Sequence, residues 1–151
     1  MRGMTPNIGY LLSDNSRQLR RLFDERVRGL GLTAAQARLL LSLEKFPDSN
    51  QAFYADRIEV EPITLTRLVD RMEDAGWIER RADPTDRRAR ILHLTEKAQD
   101  IVVPLRQIVE GLVEDILEGI DAGDRVRLAA LLETIGSNLS AQRELPEVAN
   151  G

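Results

Sequence analysis

The chain has 151 residues, 42% hydrophobic, 30% charged and 4% aromatic, with a formal net charge of −4 and no cysteine. That length suits one domain, or one domain with a helical extension, and it can bury a core without staples. Having no cysteine excludes disulfides, thiol redox sensing and zinc–thiolate sites, a single histidine (His93) leaves no His-based metal site, and the sparse aromatics argue against a stacking platform for single strands.

The opening MRGMTPNIGY has no apolar signal core, and no run of 18 apolar residues follows. The expectation is a soluble, cytoplasmic protein with no membrane contact, no metal and no cofactor. The charge is unevenly spread. Residues 1–56 carry +2, residues 57–97 are neutral and residues 98–151 carry −6. Within 80–90 there are five arginines against two aspartates. An acidic body with a basic tip fits nucleic-acid contact through the tip alone, with strong salt dependence.

Residues 1–6 read as loose. A long helix is predicted from Asn7 to Leu30, with Leu11, Leu12, Leu19, Leu22, Phe23, Val27 and Leu30 as its apolar positions. Asn15 and Ser16 interrupt that stripe, with Ser13 and Arg17 beside them. Two readings stand: a polar seam satisfied by a partner chain or water, or a polar-lined cavity for a small effector. Gly29 to Leu32 is a break. Thr33 caps the next helix, Ala34 to Phe46, with Gln36 as capping-box partner. Pro47 ends it. Asn50 caps a short helix, Gln51 to Arg57, and Ile58 to Glu61 form a turn. Pro62 then opens a second helix at a favoured first-turn position. Two short helices across a tight turn make a helix-turn-helix.

On this second helix Leu65, Leu68, Val69 and Met72 share one face, while Thr64, Arg67 and Arg71 share another. Gly76 stops it, because glycine takes the left-handed cap cheaply. A hairpin follows, begun by Trp77-Ile78 and returned by Ile91, Leu92 and Leu94, with its tip at Asp83 to Arg88. The fold expected is mainly α with a small β-wing, a winged helix-turn-helix. Its recognition helix would lie in the major groove of double-stranded DNA and its wing in a flanking minor groove. A further helix runs from Glu96 to about Ile120, kinked at Pro104. A last one runs from about Asp124 to Arg143, with Val126, Leu128, Leu131, Leu132, Ile135 and Leu139 inward, and the tail after Pro146 reads as disordered.

The resulting division is a dimerisation helix over 1–30, a winged domain over 31–95, dimerisation helices over 96–145 and a tail over 146–151. The long helices need a partner for their apolar stripes, and a second copy is the simplest, giving a two-fold homodimer. The alternative is a helical bundle within a monomer.

DNA contacts are assigned by chemistry. Arg67 and Arg71 suit guanine edges or phosphates, Thr64 and Thr66 suit bases or phosphates, and Pro62 and Ile63 suit a thymine methyl. Asn50 and Gln51 sit where the preceding helix meets the phosphate backbone. Arg88 is assigned to the minor groove, Arg87 and Arg90 to phosphates, and Asp86 to orienting an arginine fork. The bland readings are a solvated helix face paired with Asp70 and Asp74, and a mobile charged hairpin. His93 and Trp77 read as structural.

The sequence resembles the MarR family of bacterial transcriptional regulators, most of all its SlyA-like branch, from about Ile8 to Leu139. The likeness lies in Gly31-Leu32-Thr33, in Glu61 to Glu73, in Gly76-Trp77-Ile78-Glu79-Arg80-Arg81, in Asp83-Pro84 and Asp86-Arg87-Arg88, and in His93-Leu94-Thr95. It implies a homodimer on a pseudo-palindromic operator, usually a repressor released by a small aromatic or anionic ligand such as an aromatic acid, a phenol or a coenzyme A thioester. It also implies a ligand crevice between the dimerisation helices and the winged domain. That crevice maps to Leu12, Ser13, Ser16 and Arg17 on the first helix and to Ala37, Arg38 and Leu41 on the second. The chain departs from the family at Phe53-Tyr54, where an acidic residue and leucine are commoner, and at Ala37-Arg38, where many members carry tryptophan. Lacking cysteine, it lacks the peroxide-sensing mode.

No Gly-rich phosphate loop, Ser–His pair or metal constellation supports an enzyme, and no catalytic residue is assigned. Two alternatives remain: a winged-helix protein adaptor, and a constitutive or activating regulator without an effector.

Overall fold

The computed structural model describes residues 6–144. Residues 1–5 and 145–151 lie outside the described residues, and with them fall the termini read as loose, residues 1–6 and 146–151, except Pro6. The fold is mainly helical with one two-stranded antiparallel hairpin, as the sequence predicts. Among the described residues, six α-helices run in the order α1 (Ile8–Val27), α2 (Ala34–Lys45), α3 (Gln51–Arg57), α4 (Pro62–Asp74), α5 (Gln99–Ile116) and α6 (Ala122–Glu144). The hairpin, β1 (Ile78–Asp83) and β2 (Asp86–Leu94), stands between α4 and α5. The chain forms two compact units, residues 1–112 and 113–151, so α5 belongs to both.

In the first unit, local chemistry sets the helix ends. Asn7 accepts from the Tyr10 amide at the start of α1. Thr33 and Gln36 form the reciprocal capping box of α2. Asn50 accepts from the Phe53 amide at 2.8 Å to open α3. Pro62 occupies the first turn of α4, where its missing N–H costs nothing. Gly76, at φ 83°, reverses the chain after α4 and sends it into β1. The buried faces of these elements meet in one core. Leu39, Leu40 and Leu43 of α2, Leu65, Val69 and Met72 of α4, Ile78 and Leu92 of the hairpin, and Val102 and Leu105 of α5 all pack into it.

Phe53-Tyr54 acquires a physical reason here. The Tyr54 ring is fully buried. Its hydroxyl donates to the Phe46 carbonyl and accepts from the Ser49 amide at 3.2 Å. Ser49 in turn accepts from the Leu92 amide of β2 at 3.0 Å. Tyr54 thereby fastens the α2–α3 loop, and the loop fastens the root of the hairpin. His93 adds to this, its Nδ1 lying 2.6 Å from Asp48 Oδ1 on the same loop.

Several boundaries differ from the sequence reading: α2 stops at Lys45 rather than Phe46, and α5 stops at Ile116 rather than about Ile120. The first helix ends at Val27 and passes through a 3-10 turn, Arg28–Leu30. The hairpin tip is narrower: Pro84 and Thr85 make the turn, and Asp86, Arg87 and Arg88 already belong to β2. Thr95 caps a short 3-10 helix, Glu96–Ala98, before α5 begins. The helix then continues through Pro104.

In the second unit Arg125 ties the end of α5 to the start of α6. It donates to the Leu117 and Ile120 carbonyls at 3.1 and 2.8 Å and grips the Glu114 carboxylate with Nη1. Both carbonyls lie in the turn that follows α5, and the Leu117 carbonyl also accepts from the Ile120 amide at 3.0 Å. No residue of α6 is buried in the single chain. Of the positions expected to face inward, Val126, Leu128, Leu131, Leu132 and Leu139 are exposed and Ile135 is half-buried.

Candidate nucleic-acid interface

The α4 sequence divides cleanly by face. Leu65, Leu68, Val69 and Met72 are buried. The other face carries Ile63, 63% exposed, with exposed Thr64, Arg67 and Arg71. Arg67 and Arg71 form no ion pair among the described residues. Asp70, one of their expected partners, is instead taken by Arg80, which approaches within 2.6 Å. Two guanidinium groups one helical turn apart therefore stand free at the surface.

The wing supplies a second set. β1 pairs with β2 from Ile78↔Leu94 to Asp83↔Asp86, with one irregularity between Ala82 and Asp83. Alternation along β2 puts Arg88 and Arg90 on the face of Leu92 and turns Arg87 to the other. All three arginines are exposed. Asp86 does not orient an arginine fork. Its Oδ1 accepts from the Arg88 backbone N–H at 2.9 Å, which fixes the turn and leaves the Arg88 guanidinium free. At the tip Asp83 Oδ1 accepts from the Thr85 N–H and hydroxyl, at 2.9 and 2.7 Å. Those two hydrogen bonds, the backbone one first, hold the Asp83 carboxyl below its ordinary pKa.

Arg80 is the residue that sequence reasoning passed over. Its side chain is only 18% exposed. It reaches Asp70 at 2.6 Å, Glu73 at 3.2 Å, the Thr66 carbonyl at 3.1 Å and Gln51 Oε1 at 3.0 Å. One guanidinium thus joins α3, α4 and β1, the three elements that carry the candidate contacts. Its partners lie 7 to 29 positions away in sequence, so no local pattern announces it.

Several candidates are already engaged. Gln51 gives its oxygen to Arg80 and points its amide nitrogen at the Thr66 hydroxyl, 3.5 Å away. The Thr66 hydroxyl donates to the Pro62 carbonyl at 3.0 Å. Asn50 is exposed, and its Oδ1 is the α3 cap. Pro62 and Ile63 sit exposed at the leading end of α4.

The effector candidates fall in two groups. Ser13, Ser16 and Arg17 line one side of an open cleft of about 480 Å³, with Arg38 of α2 on the other side. Ala37 is buried in the core and Leu41 packs against it. Leu12 is 37% exposed and does not line the cleft. The lining includes three further α1 residues, Arg20, Arg21 and Asp24. They continue the same stripe at helical spacing, a periodicity the sequence did carry. Among the described residues no cluster of His, Cys, Asp and Glu is placed to hold a metal, and no helix is long and apolar enough to cross a membrane.

Comparison with known proteins agrees with this layout. The MarR family sequence model matches residues 32–89, from the start of α2 into the wing. The solved transcriptional regulator PA3341 is 34% identical over 89% of this chain and 98% of its own, with a TM-score of 0.77. Wild-type MarR from E. coli, in its apo form, is 27% identical over 89% of this chain and 98% of its own, with a TM-score of 0.73. A mutant E. coli MarR complexed with operator DNA is 27% identical over 85% of this chain and 92% of its own, with a TM-score of 0.67. Helix order, wing and sequence converge, and the chain belongs to the MarR family of transcription regulators.

Proposed function

We propose that this chain is a cytoplasmic, homodimeric repressor that grips a pseudo-palindromic operator and lets go when a small ligand binds. The observation that carries the DNA reading is the pair of free cationic sets, Arg67 and Arg71 on α4 and Arg87, Arg88 and Arg90 on the wing. Arg67 and Arg71 read base edges or phosphates, helped by Thr64, Thr66 and the apolar Pro62–Ile63 lead. Arg88 enters the minor groove, and Arg87 and Arg90 hold phosphates. Asn50 and Gln51 approach the backbone from α3. Positive groups without an ion-pair partner among the described residues suit a permanent polyanion, since each phosphate they neutralise releases a counterion.

The dimer reading rests on apolar surface that each unit leaves open. On α1, Ile8, Leu11, Leu12 and Leu19 are 37–46% exposed. On α6, Val126, Leu131 and Leu139 are 56–73% exposed. Stripes of this kind are costly in water and favour a second copy, so residues 1–30 and 96–145 serve dimerisation while 31–95 read DNA. A two-fold pair would set its recognition helices one DNA turn apart, roughly 34 Å. The motif residues from Gly31-Leu32-Thr33 to Asp86-Arg87-Arg88 favour the SlyA-like branch. Candidate effectors are aromatic acids, phenols and coenzyme A thioesters.

The test is direct. Light scattering at micromolar concentration gives the mass, and a gel shift compares the chain's own promoter with scrambled DNA. A dimer that prefers the promoter, less so as salt rises, supports the reading. A monomer, or equal affinity for both duplexes, overturns it.

A further inference from the structure

The cleft between α1 and α2 is lined by four arginines, two serines and one aspartate, with no apolar side chain. At about 480 Å³ it is large enough for a small metabolite. Its chemistry is not that of a site for a neutral phenol, whose binding would come from burying apolar surface. Three of the four arginines already have carboxylate partners. Arg17 donates to Asp14 at 2.8 Å. Arg38 pairs with Asp24 at 2.9 Å. Arg20 pairs with Glu59 at 3.1 Å. Arg21 has no ion-pair partner among the described residues and is exposed.

The partners fix the ligand class. An incoming monoanion would find only Arg21 unpaired, and at any other guanidinium it would merely replace a tethered carboxylate by a free one. A ligand with two or more negative charges can take Arg21 directly and still outcompete Asp24 or Glu59 for a second guanidinium, especially by a bidentate contact. The Arg20 pair has a second consequence. Glu59 sits in the turn between α3 and α4, with its backbone in the left-handed region at φ 59°. Arg20 therefore lines the cleft and touches the turn of the helix-turn-helix at once. Both side chains are more than half exposed, so the pair is loosely held and readily exchanged.

We propose that this cleft binds a multiply charged oxyanion, a phosphate ester or a polycarboxylate, which draws Arg20 away from Glu59 and so loosens the helix-turn-helix turn. The coupling half of the proposal rests on the repressor reading above; the binding half does not. A ligand shifts DNA affinity only through differential contacts, and the Arg20–Glu59 exchange is such a contact. Linkage then requires operator DNA to weaken the anion by the same factor.

Calorimetry on the full chain, with chloride holding ionic strength constant, titrates pyrophosphate, citrate, benzoate and phenol. Submillimolar binding of pyrophosphate identifies the phosphate source, and of citrate the carboxylate source. Either is expected to weaken about tenfold or more when Arg21→Gln and Arg38→Gln are combined. Arg21→Gln alone, at an exposed unpaired side chain, serves where the double variant does not fold. Binding of neither anion, binding unchanged in these variants, or tighter binding of benzoate or phenol overturns the site. Anisotropy with promoter DNA then reads the coupling. The bound anion should lower DNA affinity by at most about fivefold in the parent chain, the limit an exposed ion pair sets, and have no effect in Glu59→Gln, which still binds the anion. Equal release from both overturns the Arg20–Glu59 route. Calorimetry uses no DNA, so a failed cleft and a failed repressor reading are seen separately.

Discussion

The root and the tip of the wing use the same residue type in opposite ways. At the root, Arg80 is drawn inward and meets Asp70, Glu73, Gln51 and the Thr66 carbonyl. At the tip, Arg87, Arg88 and Arg90 are exposed, and Asp86 turns its carboxylate to backbone rather than to a guanidinium. The root arginine fixes where the wing stands against α4; the tip arginines have no carboxylate partner among the described residues, and Arg90 reaches only the neighbouring Ala89 carbonyl at 3.5 Å. Geometry and contact are thus divided between arginines a few residues apart, and the two roles should fail differently.

The largest effect is expected at the root. Arg80→Ala removes a planar donor group with four partners and leaves Asp70 and Glu73 as bare charges on α4. The guanidinium is mostly covered but its partners are half exposed, so the loss lies between a surface and a buried pair, about 2 kcal/mol of stability. That corresponds to roughly 4–8 °C in melting temperature for a chain of this size. Promoter affinity should drop with it, about thirtyfold, since two uncompensated carboxylates then face the phosphates. Arg80→Lys keeps the charge but not the fork, and should recover only part of both losses. Calorimetric melting and fluorescence anisotropy measure the two. A variant that melts like the parent would break the distinction between root and tip.

Arg88→Ala should show the other pattern. Promoter affinity falls by about tenfold and the slope of log affinity against log salt shrinks by about one, with melting and dimer mass unchanged. Unchanged gel-shift affinity would remove Arg88 from the interface.

How much of this was readable beforehand follows from where the signals lie. The Thr33–Gln36 box, the Asn50 cap, the Pro62 start and the Gly76 stop each sit within four residues of what they control, and each was legible. The wing was legible as a hairpin, but its tip was drawn too wide. Asp86-Arg87-Arg88 has the composition of a loop, and only pairing across to β1 makes it strand. The Arg80 hub was illegible because its partners come from three elements brought together by folding. Periodicity marked the apolar stripe of α6, but periodicity does not say what covers a stripe. In the α1–α2 cleft, Ser13, Ser16 and Arg17 were found through an interruption in apolar spacing. Arg20, Arg21 and Asp24 continue that stripe, but they alternate with Leu19, Leu22 and Phe23, whose apolar spacing dominates the pattern of this segment.

A smaller effect tests the brace beneath the wing root. Tyr54→Phe keeps the ring and removes the hydroxyl, leaving the Phe46 carbonyl and the Ser49 amide without that partner. A buried group left unpaired costs about 1–3 kcal/mol. Stability should fall by that order in a denaturant melt, with only a slight loss of promoter affinity, because Ser49 still accepts from Leu92. A large loss of affinity at unchanged stability would mean that the α2–α3 loop belongs with the contacts and not with the frame.

The smallest effect concerns the turn that carries the tip. The Thr85 backbone N–H, and after it the Thr85 hydroxyl, hold the Asp83 carboxyl below its ordinary value. A carboxylate depressed in the folded state contributes stability that is present above its unfolded pKa and lost as pH falls through its folded one. The window is therefore acidic, below the usual carboxylate range, and between pH 6 and 8 the turn should not respond to pH at all. Following the Asp83 carboxyl carbon by NMR should place its midpoint below that of an unstructured aspartate. Thr85→Val removes the hydroxyl and keeps the N–H, so the midpoint should return only part of the way. A full return would make the hydroxyl the main support, and no return would make it irrelevant. Either result would change which atom keeps the two-residue turn closed and, with it, the start of β2 from which Arg87 and Arg88 project.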